Sequence, residues 1–140
     1  MITIDANAVI KLLIKEENSD VATRLFYDAT ALGEPMFAPE VLLPEVINGL
    51  WKHLTLLKDI NESQFNLAVS NLMDIWNNLS IIKIESVLET AVKVAKTRKI
   101  DFYDALYVAI SISEDAPLFT FDRQIRNKSV ELGLRLYNNL

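Results

Sequence analysis

Two aspartates stand three residues apart at the head of an apolar run, Asp101 and Asp104 in "KIDFYDALYVAIS". Asp101 precedes the run, where an N-cap belongs and a carboxylate accepts free N–H groups of the first turn. Asp104 falls at the third helical position, where a capping box uses Glu or Gln because Asp is short. Capping therefore explains Asp101 and leaves Asp104 as a candidate chemical group, an acid held charged by the N-terminal dipole of its helix. Asp5 and Asp122 occupy matching places, each ending a short strand ("ITI", "FTF") and opening a helical segment. Each suits an N-cap, yet in open parallel sheets the ligand crevice lies beyond the carboxyl ends of the strands. Glu45 sits near the start of a long helical stretch, with Asn48 and Gly49 one turn on and Lys52 further along that side. A mid-helix glycine costs roughly 1 kcal/mol relative to alanine, so something there needs the space.

Four carboxylates from separate segments could converge at one end of a sheet. Crowded like charges raise one another's pKa values, and a divalent cation removes that conflict. The chain has no Cys and one His (His53), which excludes thiol nucleophiles, thiolate zinc sites and His-paired metal motifs. His53 reads as a surface histidine with no nucleophile motif nearby. Three scattered glycines cannot build a phosphate-cradling loop. Carboxylates without imidazole or thiolate favour a hard cation, Mg²⁺ or Mn²⁺. Two such ions roughly 3.5–4 Å apart can activate water and stabilise a leaving oxygen in phosphodiester cleavage.

With 140 residues, 51% of them apolar and 24% charged, the chain suits one folded domain over residues 1–140. The N-terminus lacks the basic head of a signal peptide, and no apolar stretch approaches the ~20 residues that span a bilayer. A cytoplasmic protein without a membrane partner is expected. The formal charge of −5 argues against a nucleic-acid partner, unless acids are spent on metal and the 14 Lys and Arg form a local basic face.

The elements that must hold these acids alternate. "ITID" reads as a strand and "NAVIKLLIKE" as a helix. Asn18 or Ser19 can cap "VATRLFYDATAL", which Gly33 closes. "PMFAP" is a second strand, followed by a helix over "EVLLPEVINGLWKHLTLLK" with Pro44 in its first turn. Asn61 caps "ESQFNLAVSNLMDIWNNL", "IIKI" is a third strand, and Ser86 caps "SVLETAVKVAKTRK". The "DFYDALYVAISISE" helix is apolar nearly all round and therefore buried. "LFTF" is a strand, "DRQIRNKSVELG" a helix ending at Gly133, and "LRLY" a last strand. Such alternation predicts an α/β domain, its mainly parallel central sheet flanked by helices on both faces. Trp51, Trp76, Phe65 and Tyr107 lie in helical patterns and read as core or dimer contacts.

Taken in order, "IDANAVI", "PEVINGLW", "YDALYVAIS" and "LFTFDRQI" resemble the PIN-domain ribonucleases, especially the toxins of VapBC-type toxin–antitoxin pairs. The resemblance runs along nearly the whole chain and implies a single PIN-like domain. The family's acidic metal positions match Asp5, Glu45, Asp104 and Asp122, and its supporting polar positions match Asn7, Asn48 and Thr120, the last in "TFD". It implies a Mg²⁺- or Mn²⁺-dependent endoribonuclease with water as nucleophile, a homodimer, and a small antitoxin as inhibitor. Lys52 and Arg123 each follow a proposed acid on its own helix and are the expected RNA contacts. Three rivals remain: a phosphoryl-transfer or receiver-type α/β domain, a PIN fold that only binds or assembles, and a plain α/β domain whose acids are all caps. The first lacks its own signature, since "DAN" replaces D-x-D and no adjacent acids follow strand one. The last leaves Asp104 unexplained.

Overall fold

The computed structural model describes residues 1–137. Strand β1 (Ile2–Ile4) leads into helices α1 (Ala6–Leu13) and α2 (Ser19–Ala31), then β2 (Met36–Pro39). Helix α3 (Leu42–Lys52) widens into a π-helical turn (His53–Leu57) before α4 (Glu62–Asn77) and β3 (Ser80–Ile82). Helices α5 (Ile84–Arg98) and α6 (Phe102–Ser113), strand β4 (Leu118–Phe119) and helix α7 (Arg123–Asn127) follow.

The four strands form one sheet in the order β3-β2-β1-β4, every pairing parallel. The chain first builds outward from β1 to β3, then crosses to place β4 on the other side of β1. The strand order therefore reverses beside β1, the place where open α/β sheets hold their ligands. All three β1 residues are buried although successive side chains point to opposite faces, so the strand is covered on both sides. Helix α6 packs on β1, β2 and β4 with α5 behind it, while α1 meets α2, α3 and α4. As its composition requires, α6 is buried without a break from Ala105 to Ser111.

Several boundaries depart from the sequence expectation, each for a local reason. The helix after β2 starts at Leu42 and leaves α geometry at His53, where the Lys58 and Asp59 N–H groups both reach back to the His53 carbonyl. Neither Asn18 nor Ser19 caps α2 through its side chain. Asn18 is left-handed, and the Ser19 hydroxyl instead accepts from Glu16 N and donates to the Ile14 carbonyl. Ser86 does not cap α5: it lies in the first turn and donates to the Lys83 carbonyl, while Glu40 takes the free Ile84 N–H from the end of β2. Strand β4 stops at Phe119 because Thr120 turns to accept the Asp122 N–H. Helix α7 ends at Asn127, with turns rather than helix up to Gly133. The expected last strand is one parallel bridge between Leu118 and Leu136.

Candidate active site

Asp5 leaves β1 as the N-cap of α1, with Oδ1 accepting the Ala8 N–H at 2.8 Å. Asp122 caps α7 in the same way, accepting from Ile125 N at 2.9 Å. The two strand ends are joined by the Asp5 N–H donating to the Phe119 carbonyl at 3.2 Å. Capping and site roles therefore coincide, since a carboxylate that gives one oxygen to its helix keeps the other. Between them lies Thr120, fully buried: its hydroxyl accepts the Asp122 N–H at 3.0 Å and bonds the Asp5 carboxylate.

Asp101 caps α6 through the Asp104 N–H at 2.8 Å, as its position predicts. That bond uses the backbone of Asp104 and none of its carboxylate, which has no hydrogen-bond or ion-pair partner among the described residues. Glu45 projects from the first turn of α3, where Tyr107 of α6 donates its phenol to Oε1 at 2.9 Å.

These acids line one cleft of about 340 Å³, with Asp5, Glu45, Asp104 and Asp122 together in its wall. Asn7, Asn48, Gly49 and Lys52 line it as well. Thr120 lies beneath the floor, and Arg123 is exposed on α7, outside the lining. Gly49 marks a close approach: a Cβ there would stand 2.4 Å from Ile10 Cδ1 of α1.

The charges in the cleft are under strain. Burial pushes the Asp5 carboxyl up to about 6, against the lowering bonds from Thr120 and Ala8 N, with Asp122 and Glu45 adding repulsion. The α6 dipole does not hold Asp104 charged as its position suggested: burial raises it to about 7, and Asp101, Asp122, Asp5 and Glu45 all repel it. Glu45 is raised by burial, opposed by its Tyr107 bond and reinforced by Asp101. The donors are hard oxygens at one sheet edge, a chemistry that fits a divalent cation. Among the described residues, no three of the metal-ligating side chains are already gathered into a cage. They share a cleft and a need for positive charge.

Two residues that periodicity assigned elsewhere belong to this cleft. Tyr107 is buried as expected, but its hydroxyl is spent on Glu45; the signal was its place one helical turn after Asp104. His53 is no solvated surface histidine: its side chain is 15% exposed and lines the cleft between Glu16 (Nε2–Oε2 3.3 Å) and Asp59 (Nδ1–Oδ1 2.9 Å). Glu16, a fifth acid of the wall, also meets Lys11 at 2.9 Å. It is compensated where Asp104 is not.

Residues 2–131 match the PIN domain family. The chain belongs to the PIN-domain family. Ribonuclease VapC3 of Pyrobaculum aerophilum is 30% identical over 132 residues, which cover 91% of this chain and 93% of that one. Among solved structures, VapBC2 from Rickettsia felis bound to a DNA fragment from its promoter aligns with a TM-score of 0.66 at 19% identity, covering 99% of this chain and 98% of that one. A toxin–antitoxin complex from Klebsiella pneumoniae aligns with a TM-score of 0.62 at 17% identity over the whole of both chains. These structural likenesses establish the shared PIN fold. Membership removes the phosphoryl-transfer and receiver-type rivals.

Proposed function

We propose that this PIN domain is a Mg²⁺- or Mn²⁺-dependent endoribonuclease of VapC type, the toxin of a toxin–antitoxin pair. Asp104 carries the reading. Its carboxylate lies in the cleft with no partner among the described residues, raised to about 7 by burial and four neighbouring acids. A bound cation would relieve that crowding of acids, which a fold selected for stability alone would leave uncompensated. The 30% identity to a ribonuclease over 91% of the chain supplies the reaction class.

Asp5, Glu45, Asp104 and Asp122 would hold the cation, which when bound supplies activated water and charge neutralisation for phosphodiester hydrolysis. The chain's own residues prepare for it. Thr120 ties Asp5 to the start of α7, fixing the β1 and β4 acids against each other. Asn7 and Asn48 offer amides at the wall, able to orient water or a ribose hydroxyl. Lys52 brings a cation to the wall for the RNA phosphate, and Arg123 meets the strand only beyond the cleft. The named VapC relative and the VapBC and toxin–antitoxin neighbours support a small antitoxin partner; a homodimer is proposed on the family resemblance alone. The proposed site of action, with RNA as substrate, is the cytoplasm. No helix among the described residues is long and apolar enough to cross a membrane.

Thermal unfolding against Mn²⁺ concentration tests the site without knowledge of the RNA sequence. Metal at about 100 Kd stabilises a one-site protein by roughly 2.7 kcal/mol, several degrees at this size. Wild type and Asp101→Asn, whose amide still caps α6, should gain those degrees, and Asp104→Asn should lose most of the gain. Indifference of all three to Mn²⁺ would leave a PIN fold that binds without cleaving.

A further inference from the structure

Tyr107 brings a phenol to the cleft lining, and no sequence motif requires it there. It is 3% exposed, so its ring is fixed by packing, yet its hydroxyl reaches out of α6 to Glu45 Oε1 at 2.9 Å. The two residues are 62 positions apart and belong to different helices. Asp104 and Tyr107 are separated by three positions, so they share one face of α6. That helix therefore presents one acid directly and grips a second acid from α3.

We propose that Tyr107 is a positioning residue of the cation site, holding Glu45 by Oε1 so that Oε2 remains the oxygen offered to the cation. It rests on the reading of the cleft as a cation site and adds the device that orients one of its ligands. A glutamate in the first turn of α3 has three side-chain torsions, and Glu45 has no other side-chain partner among the described residues. Without the phenol it would sample several rotamers, and each cation-binding event would have to freeze them. A rigid donor removes that cost in advance, as outer hydrogen-bond partners of metal ligands do elsewhere. Coupling through α6 adds a consequence: a shift of this helix moves Asp104 and Glu45 together.

The opposing account makes the bond a service to Tyr107, because a buried phenol needs an acceptor. The two accounts differ in what the cation feels. Mn²⁺ binding to the full chain, read from the loss of the free-ion electron paramagnetic resonance signal, separates them for wild type, Tyr107→Phe, Glu45→Gln and the double variant. Tyr107→Phe should keep a cooperative melt in chelator and bind Mn²⁺ about 10–100-fold more weakly. The double variant should bind no more weakly than Glu45→Gln, since the phenol acts only through the carboxylate. In RNA cleavage, the Mn²⁺ needed for half-maximal rate should rise while the rate at saturating Mn²⁺ returns towards wild type. Should Tyr107→Phe melt too low to assay, Glu45→Asp keeps the phenol and the charge but sets them apart, and should weaken binding likewise. Affinity within about twofold of wild type in the variant assayed, with Glu45→Gln impaired, overturns the positioning role and leaves the cation site standing. Absence of Mn²⁺ binding by wild type overturns both.

Discussion

At the residue scale, the acids of this cleft are distinguished by what else they touch. Asp5 and Asp122 each give an oxygen to a helix amide, and Asp101 gives its own to Asp104 N. Glu16 is matched by Lys11 and His53. Asp104 alone among the four proposed ligands has only repulsion around its carboxylate. Thr120 shows how much one small side chain can hold, serving the Asp5 carboxylate and the Asp122 amide at once. Thr120→Val keeps the shape and removes both bonds, which should cost about 1–3 kcal/mol in denaturant unfolding. Thr120→Ser keeps the hydroxyl and should stay well above the valine variant. Asp5 and Asp122 were legible at strand ends, and Asp104 as a first-turn acid that capping does not explain. Tyr107 was legible only as lying one turn after Asp104; its bond to Glu45 was not, because that partner lies 62 positions away.

At the scale of elements, α1 and α3 form the cleft by approaching each other at Gly49. A side-chain Cβ at this position would stand 2.4 Å from Ile10 Cδ1, closer than any real contact allows. Alanine improves helix propensity by roughly 1 kcal/mol, but overpacking costs about 1–3 kcal/mol, so Gly49→Ala should be destabilising. Ile10→Val removes Cδ1, and the double variant Gly49→Ala/Ile10→Val should melt above Gly49→Ala alone. A double variant no more stable than Gly49→Ala would place the strain elsewhere. The mid-helix glycine was readable as a demand for space; that Ile10 fills the space was not. The end of α3 was equally unreadable: His53 opens its π-helical turn and meets Glu16 from before α2 as well as Asp59 just beyond the turn.

At the scale of the whole molecule, the sheet order puts β1 and β4 side by side, so acids 117 positions apart share one cleft. This concentration of charge has a stability signature. The folded carboxyls of Asp5 and Asp104 lie at about 6 and about 7, above their ordinary 3.8. A raised carboxyl stabilises the fold fully below its unfolded pKa, and that stability is lost as pH rises through the folded value. Metal-free protein should therefore lose stability between about pH 4 and pH 7. Asp5 contributes on the order of 3 kcal/mol to that loss at 1.36 kcal/mol per pKa unit. Asp104 adds less than its shift implies, because solvent screens its half-exposed carboxylate. Melting temperature against pH in chelator should fall over this window, Asp104→Asn should fall less, and saturating Mn²⁺ should flatten or reverse the trend. A chelated protein with a flat profile would contradict the crowding of charge described here.

The sequence by itself determined the α/β class and the parallel sheet, because hydrophobic period and cap chemistry are local properties of the chain, and it singled out the four acids as candidates. It also pointed to a hard cation, since thiolate and clustered imidazole are absent from the composition. Only the tertiary structure decided which acids are compensated, which helix Gly49 must admit, and that a buried phenol grips Glu45. The physical reason is range. Caps and periods act over three or four residues, whereas Coulomb repulsion, close packing and a hydrogen bond between α3 and α6 exist only after the chain has brought distant segments together.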